Sequence, residues 1–98
     1  MTARMKAPPH PGGLIRENID DLGLSVADAA EGLGVTRQHL HRVIDGRHAV
    51  TPDMAVRLEQ AFGGAADFWL RMQIAHDLAA ARSAPGRVRI ARFARKFA

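Results

Sequence analysis

The segment from Val26 to Val43, VADAAEGLGVTRQHLHRV, is compatible with two short helices that meet at a tight corner. Gly34 stands where the corner needs a left-handed backbone, and Ala30 is small enough for the two helices to cross at close range. This pattern is that of a helix-turn-helix motif. The apolar residues predicted to face inward are Leu33, Val35, Leu40 and Val43.

The second helix of the motif, predicted over Thr36 to Asp45, leaves one face available to a partner. Because its apolar residues turn inward, the opposite face carries polar side chains. Arginine and glutamine have paired hydrogen-bonding groups that match guanine and adenine edges in the major groove. Many small helical domains also have a solvated polar face, so the motif alone leaves DNA binding open. The residues predicted to read bases are Arg37, Gln38, His41 and Arg42.

Length and composition indicate one small soluble domain. The 98 residues suffice for a single modest core, and 47% hydrophobic residues is typical of a folded chain. There is no cysteine, so neither a disulfide nor a thiolate metal site is expected. The stretch MTARMKAPPHPGG lacks the apolar run of a signal peptide, and no segment is long enough to span a bilayer. We therefore expect a cytoplasmic protein with no membrane partner.

The net charge of +4 is unevenly distributed along the chain. Residues 1–82 contain nine Lys or Arg and ten Asp or Glu residues, which gives −1. Residues 83–98 contain five basic residues and no acidic one, which gives +5. The excess therefore lies in the tail and does not by itself show that the motif binds DNA. Between Thr36 and Thr51, however, three arginines accompany a single acid, Asp45.

Start and stop signals predict three further helices, and with them an all-α, five-helix domain over residues 12–82. A proline-bearing arm at residues 1–11 precedes the first helix, which ends near Gly23. Pro52 at the first position of the fourth helix is a typical boundary. The caps predicted for helices two to four are Ser25, Thr36 and Thr51. The apolar residues predicted to be buried in helices one and four are Leu14, Ile15, Ile19, Leu22, Met54, Ala55, Leu58 and Phe62.

The fifth helix, predicted from about Ala66 to Arg82, is apolar around most of its circumference. A domain of this size cannot cover all of that surface, so we expect part of it to be buried against a second copy of the chain. The sequence therefore predicts a homodimer. The residues predicted at the dimer interface are Phe68, Trp69, Met72, Ala75 and Ala79.

The tail, residues 83–98, ends in RVRIARFARKFA. Ile90, Phe93, Ala94 and Phe97 recur at helical spacing with arginines opposite, which predicts a short basic amphipathic helix formed on a partner. About 12 residues are too few for a stable helix in isolation. The candidate partners are the dimer itself, nucleic acid and another protein, and the phenylalanines favour protein.

No arrangement of residues suggests catalysis or a bound metal. His39 and His41 are two apart on a helix and point in different directions, and His10, His48 and His76 have no carboxylate or histidine at ligand spacing. No phosphate-binding glycine loop follows a strand. We predict that the chain is not an enzyme and has no cofactor or metal site.

Four segments of the chain share the pattern of one protein family. They are HPGGLIRENIDDLGLS, the turn described above, DGRHAVTPDMAVRLEQAFG and above all GGAADFWLRMQIAHDL, which together cover about residues 9–82. They resemble the HigA-type antitoxins, a branch of the Xre-like helix-turn-helix proteins with a lambda-repressor-like fold. The resemblance implies a type II antitoxin that silences a HigB-like toxin of the RelE group, an mRNA-cleaving endoribonuclease. It also implies a dimer that binds a palindromic operator and represses its own operon.

The resemblance further implies roles for individual residues. The base-reading positions of the family fall on Arg37, Gln38, His41 and Arg42. Its phosphate-contacting positions fall on Ser25, Thr36, Arg47 and His48. RelE-like toxins are basic because they handle RNA, so an acidic face is a candidate toxin contact. That face of the first helix consists of Glu17, Asp20 and Asp21.

Some positions depart from the family pattern. Val26 stands where a phosphate-binding glutamine is common, and Ala65 replaces a capping serine, which predicts a start of the fifth helix that is weaker by about 1 kcal/mol. The basic tail lies outside the family pattern. Two alternatives remain, namely a free-standing transcriptional regulator without a toxin and a protein-interaction module whose motif does not bind DNA. The arginines retained on one face argue against the second.

Overall fold

The computed structural model describes residues 7–96, which form five α-helices and no strand. α1 packs on α3, α2 packs on both α3 and α4, and α4 packs on α5. The predicted all-α, five-helix order is confirmed. Residues 1–6 of the predicted arm and Phe97 of the predicted tail lie outside the described residues. The helices are α1 (Gly12–Asp21), α2 (Val26–Leu33), α3 (Arg37–Ile44), α4 (Pro52–Phe62) and α5 (Ala66–Ser83).

All five helices contribute to one hydrophobic core. α3 contributes Leu40 and Val43, which are fully buried, and Ala30 is 2% exposed where α2 meets α3. These burials confirm the inward face predicted for the motif, with Val35 partly buried at its edge. The other buried members of the core are Ile15, Ile19, Ala29, Leu33, Val50, Met54, Ala55, Leu58 and Trp69.

One core prediction and one dimer-interface prediction are wrong. Leu22 is 61% exposed, because it follows the last residue of α1 and lies beyond the packed part of that helix. Trp69, predicted at the dimer interface, is only 2% exposed, because Trp69 and Gln73 form the buried face of α5. The indole therefore belongs to the core of its own chain and is not available to a partner.

Side-chain caps begin the three middle helices as predicted. The hydroxyls of Ser25, Thr36 and Thr51 accept main-chain N–H bonds at 3.0, 3.0 and 3.2 Å. α5 has no cap from Ala65, and its first N–H, that of Ala66, donates instead to Glu59 Oε2 at 2.7 Å. Glu59 in α4 thus replaces the missing serine, and the predicted weakness of this helix start is offset.

The tail contains no helix between residues 84 and 96. Val88, Ile90 and Phe93 are 74, 81 and 93% exposed, so these apolar side chains remain in solvent. The predicted amphipathic helix is therefore absent from the isolated chain. Its formation on a partner stays a prediction.

Gly12 sets the approach of α1 to the end of α3. A Cβ atom on Gly12 would overlap the carbonyl oxygen of Val43 and lie 2.5 Å from that of Ile44. Both atoms belong to the main chain and cannot move without shifting a helix. By contrast, a Cβ atom on the next residue, Gly13, would meet nothing within 4 Å.

We predict that Gly12→Ala destabilises the fold by about 1–3 kcal/mol through overpacking. Gly13→Ala should be neutral or stabilise the helix by about 0.5–1 kcal/mol, because alanine restricts the unfolded chain. Urea denaturation of both variants checks this pair. Equal stabilities would contradict the close approach of α1 to α3.

Candidate nucleic-acid interface

The corner of the helix-turn-helix is fixed by a contact from α4. Gly34 has φ +73°, the left-handed conformation expected at this position. Arg57 Nη1 donates to the carbonyl oxygens of Leu33 and Gly34 at 2.9 and 3.2 Å, and Arg57 Nε donates to Asp53 at 2.8 Å. The guanidinium thus satisfies carbonyls that the end of α2 leaves without helical partners. Sequence reasoning did not identify Arg57, whose targets are main-chain atoms more than twenty residues away.

The exposed face of α3 carries the predicted base-reading residues. Arg37, Gln38, His41 and Arg42 are all exposed, whereas the opposite face of the helix is buried. No ion pair within residues 7–96 engages Arg37 or Arg42. The four side chains can therefore meet a partner without breaking internal ion pairs.

The starts of α2 and α3 provide two candidate anion sites beside this face. Ser25 and Thr36 accept capping bonds through their oxygens, and each hydroxyl still has a proton to donate. Free main-chain N–H groups at a helix start favour phosphate. Val26, in place of the family glutamine, packs partly on the core and adds no polar contact.

The loop between α3 and α4, residues 45–51, carries the remaining predicted phosphate contacts. Arg47 Nη2 donates to Asp45 Oδ2 at 2.9 Å in an exposed ion pair. Such a pair contributes about 0–1 kcal/mol, so the guanidinium can be transferred to a phosphate at little cost. His48 is exposed, and its ring centroid lies 5.6 Å from that of His39.

Two residues outside the motif hold this loop. Gln73 is 4% exposed, and its Oε1 accepts from the N–H of Val50 at 2.7 Å while its Nε2 donates to Asp77 at 2.9 Å. The ring of His10 lies against Gly46, and its centroid is 5.2 Å from that of His76. Spacing along the sequence did not indicate a histidine beside His10, because the two rings are distant in the chain and meet only in the fold.

The acidic residues assigned to toxin contact lie on α1 and its end. Glu17, Asp20 and Asp21 all face solvent, and Arg16 lies 4.0 Å from Asp20. Asp21 also lines a hollow of about 230 Å³ whose wall includes Leu22 and Phe62. The acidic face thus borders an exposed apolar surface that the sequence did not predict.

α5 exposes an apolar stripe on the side away from the core, and the exposed ion pair of Asp67 and Arg71 lies beside this stripe. Phe68, Ile74 and Leu78 are 41, 55 and 44% exposed, and Ala75 lies among them. Met72 and Ala79 are half-buried at the edge of the stripe. Ile74 and Leu78, which were not among the predicted interface residues, therefore belong to this exposed surface, whereas Trp69 does not.

Residues 7–96 contain no group of three side chains suited to hold a metal ion. None of the helices described is long and apolar enough to cross a membrane.

Comparison with known proteins places these features in a family. Residues 15–69 match the helix-turn-helix family model. Virulence-associated protein A' of Dichelobacter nodosus is 43% identical over 76 residues, which cover 76% of this chain and 66% of that protein. Antitoxin HigA-1 of Vibrio cholerae is 30% identical over 79 residues, 80% of this chain and 74% of that protein.

A solved structure gives the same result. Pseudomonas aeruginosa antitoxin HigA with the higBA promoter has a TM-score of 0.75 at 32% identity, and the match covers 81% of this chain and 87% of that one. The chain belongs to the helix-turn-helix family of DNA-binding transcription regulators and, within it, to the Xre-like proteins that include the HigA-type antitoxins.

We predict that Arg37→Ala and Arg47→Ala separate base reading from phosphate binding. Arg37→Ala should cost about 1–3 kcal/mol on the operator and relax the preference at one base pair. Arg47→Ala should weaken binding to operator and random DNA alike and reduce the salt slope by about 0.9 for each phosphate that is no longer neutralised. Fluorescence anisotropy on both duplexes at several salt concentrations measures these effects. Equal losses on both duplexes for both variants would contradict the assignment.

Proposed function

We propose that this chain is the antitoxin of a type II toxin-antitoxin pair. In this role it binds and silences a HigB/RelE-like mRNA endoribonuclease. As a homodimer it also binds a palindromic operator and represses its own operon. The observation that carries the proposal is the exposed polar face of α3, flanked by the capped start of α2 and by the arginine-bearing loop.

Operator binding is supported by the chemistry of this face. Arg37 and Gln38 lie at the start of α3, the end that enters the major groove in helix-turn-helix proteins. Ser25, Thr36, Arg47 and His48 surround it with hydroxyl, guanidinium and imidazole donors suited to phosphate. The similarity to an antitoxin solved with its promoter agrees with this proposal.

Dimer formation is supported by the exposed stripe on α5. A helix that leaves Phe68, Ile74 and Leu78 in water gains by covering them, at about 25 cal/mol for each Å² of apolar surface removed. A two-fold pair of α5 helices would bring the same residues of both copies together. It would also present two α3 helices to the two halves of a palindrome.

We predict that Leu78→Glu disrupts the dimer, because it places a charge within the apolar stripe. Sedimentation velocity should then give a single species at the 10.6 kDa of one chain. Val56→Glu is the matched control, since Val56 on α4 is exposed to the same extent, 44%. A Leu78→Glu variant that sediments like the wild type would contradict this interface.

Toxin binding is proposed at the acidic face of α1. Glu17, Asp20 and Asp21 are oriented to solvent, and Asp21 borders the hollow formed with Leu22 and Phe62. A basic RNA-cleaving partner would be attracted by these charges and could bury the apolar residues beside them. Electrostatic attraction of this kind acts mainly on the association rate.

Co-expression with the small reading frame adjacent to the gene tests the antitoxin role. A toxin encoded there should arrest growth alone and should co-purify with this chain when both are present. A homogeneous dimer without a partner and without rescue of growth would favour the free-standing regulator.

We predict that reversing Asp20 and Asp21 together to lysine slows toxin association by about tenfold at low salt and less at high salt. The charge-matched control is Glu31→Lys on α2, which is compared with Asp21→Lys alone. Stopped-flow fluorescence measures the association rate. An unchanged rate in the α1 variant, or an equal effect in the control, would remove this face from the toxin interface.

A further inference from the structure

The loop between α3 and α4 is held from several sides. The N–H groups of Arg47 and His48 both donate to the carbonyl oxygen of Arg42, at 2.8 and 3.1 Å. At the far end of the loop, the N–H of Val50 donates to Gln73. At Gly46 the loop packs against the imidazole of His10. A Cβ atom added to this glycine would lie 3.6 Å from the ring.

The ring of His10 is itself fixed by contacts from three directions. Its Nδ1 accepts from the N–H of Gly12 at 2.9 Å, and the ring packs against Gly46 of the loop. The ring of His76 on α5 meets it edge-on. His76 Nδ1 donates in turn to the carbonyl oxygen of Pro8 at 2.9 Å. One imidazole therefore joins the arm, the start of α1, the loop and α5.

We propose that His10 is a positioning residue for DNA binding, whose neutral imidazole holds residues 46–48 so that Arg47 and His48 face the phosphate backbone. The inference rests on the proposed function, because it requires this loop to meet DNA. His10 does not contact DNA itself. It acts by limiting the positions that the loop can adopt, which lowers the entropy lost when the phosphate contacts form.

The contacts of the ring require its neutral form. Protonation would turn Nδ1 from an acceptor into a donor. Because the N–H of Gly12 is also a donor, the hydrogen bond between them would be lost. Burial and then the neighbouring His76 lower the pKa of His10, while the main chain of His48 and the carboxylate of Asp77 act in the opposite direction. These are the titratable and charged groups that face the ring.

The sign of the pH dependence follows from this lowered pKa. When the His10 ring is not packed against the loop, its pKa is near the ordinary value of 6.5. Packing lowers this pKa, so the packed state disfavours protonation of the ring. The packing of the His10 ring against the loop is therefore fully favoured above about pH 6.5. This packing is lost as the pH falls through the lowered pKa of His10. Operator affinity should fall over the same range.

The test compares the wild type with His10→Gln and His10→Ala, using the duplex upstream of the gene and a random duplex. At pH 8, His10→Ala should weaken binding to both duplexes about tenfold and flatten the salt slope, as removal of a phosphate-binding side chain does. In the background of Arg47→Ala it should weaken binding by clearly less than tenfold, because the Arg47 contact is already lost and only that of His48 remains for His10 to support. His10→Gln does not titrate, so the ratio of wild-type to His10→Gln affinity should fall between about pH 8 and 5.5. The other histidines are present in both proteins and cancel in this ratio.

The controls separate positioning from folding. Circular dichroism at each pH confirms that the variants are folded. If His10→Ala unfolds, hydrogen exchange of the wild type and His10→Gln is measured instead. Protection factors, which correct for the intrinsic pH dependence of exchange, should fall at Arg47 and His48 below pH 6.5 in the wild type alone. Wild-type affinity and salt slope in folded His10→Ala, or a wild-type pH profile in His10→Gln, would overturn this inference only. Absence of operator binding by the wild type would overturn the proposed function and this inference together.

Discussion

The position of α3 depends on the burial of its inner face. With eight residues, α3 is too short to be stable as a helix in water, so its orientation comes from packing. Leu40 and Val43 are completely buried, and this determines which side of the helix remains in solvent. The polar row that can meet DNA is thus a consequence of the core. Gly12 and Ala30 allow α1 and α2 to approach closely enough to form that core.

The contacts that surround the motif come from parts of the chain outside it. Arg57 on α4 secures the corner, Gln73 on α5 secures the end of the α3–α4 loop, and His10 in the arm supports its beginning. Most of these bonds end on main-chain atoms, so they fix the backbone while leaving the functional side chains exposed. α5 takes part in both this loop and the proposed dimer interface. Its buried face holds the loop through Gln73, and its exposed face carries the apolar stripe. A second copy on α5 would therefore lie on the opposite side of this helix from the α3–α4 loop.

Local signals in the sequence were sufficient for much of the fold. Ser25, Thr36 and Thr51 cap their helices where predicted, and Gly34 forms the corner, because each effect acts over three or four residues. The errors arose where the answer depends on distant residues. Hydrophobicity alone could not show which face of α5 meets α4, so Trp69 was placed on the wrong side. Glu59 and His10 were not identified, since their partners are brought close only by the fold.

The central claim is that α3, the start of α2 and the α3–α4 loop form one DNA-binding surface. Titration of isotope-labelled protein with the duplex upstream of its gene, followed by amide chemical shifts, tests it most directly. We expect the largest shifts at Ser25, from Thr36 to Arg42 and at Arg47 and His48, with a scrambled duplex giving small shifts. Shifts confined to the tail or to the exposed stripe of α5 would contradict it.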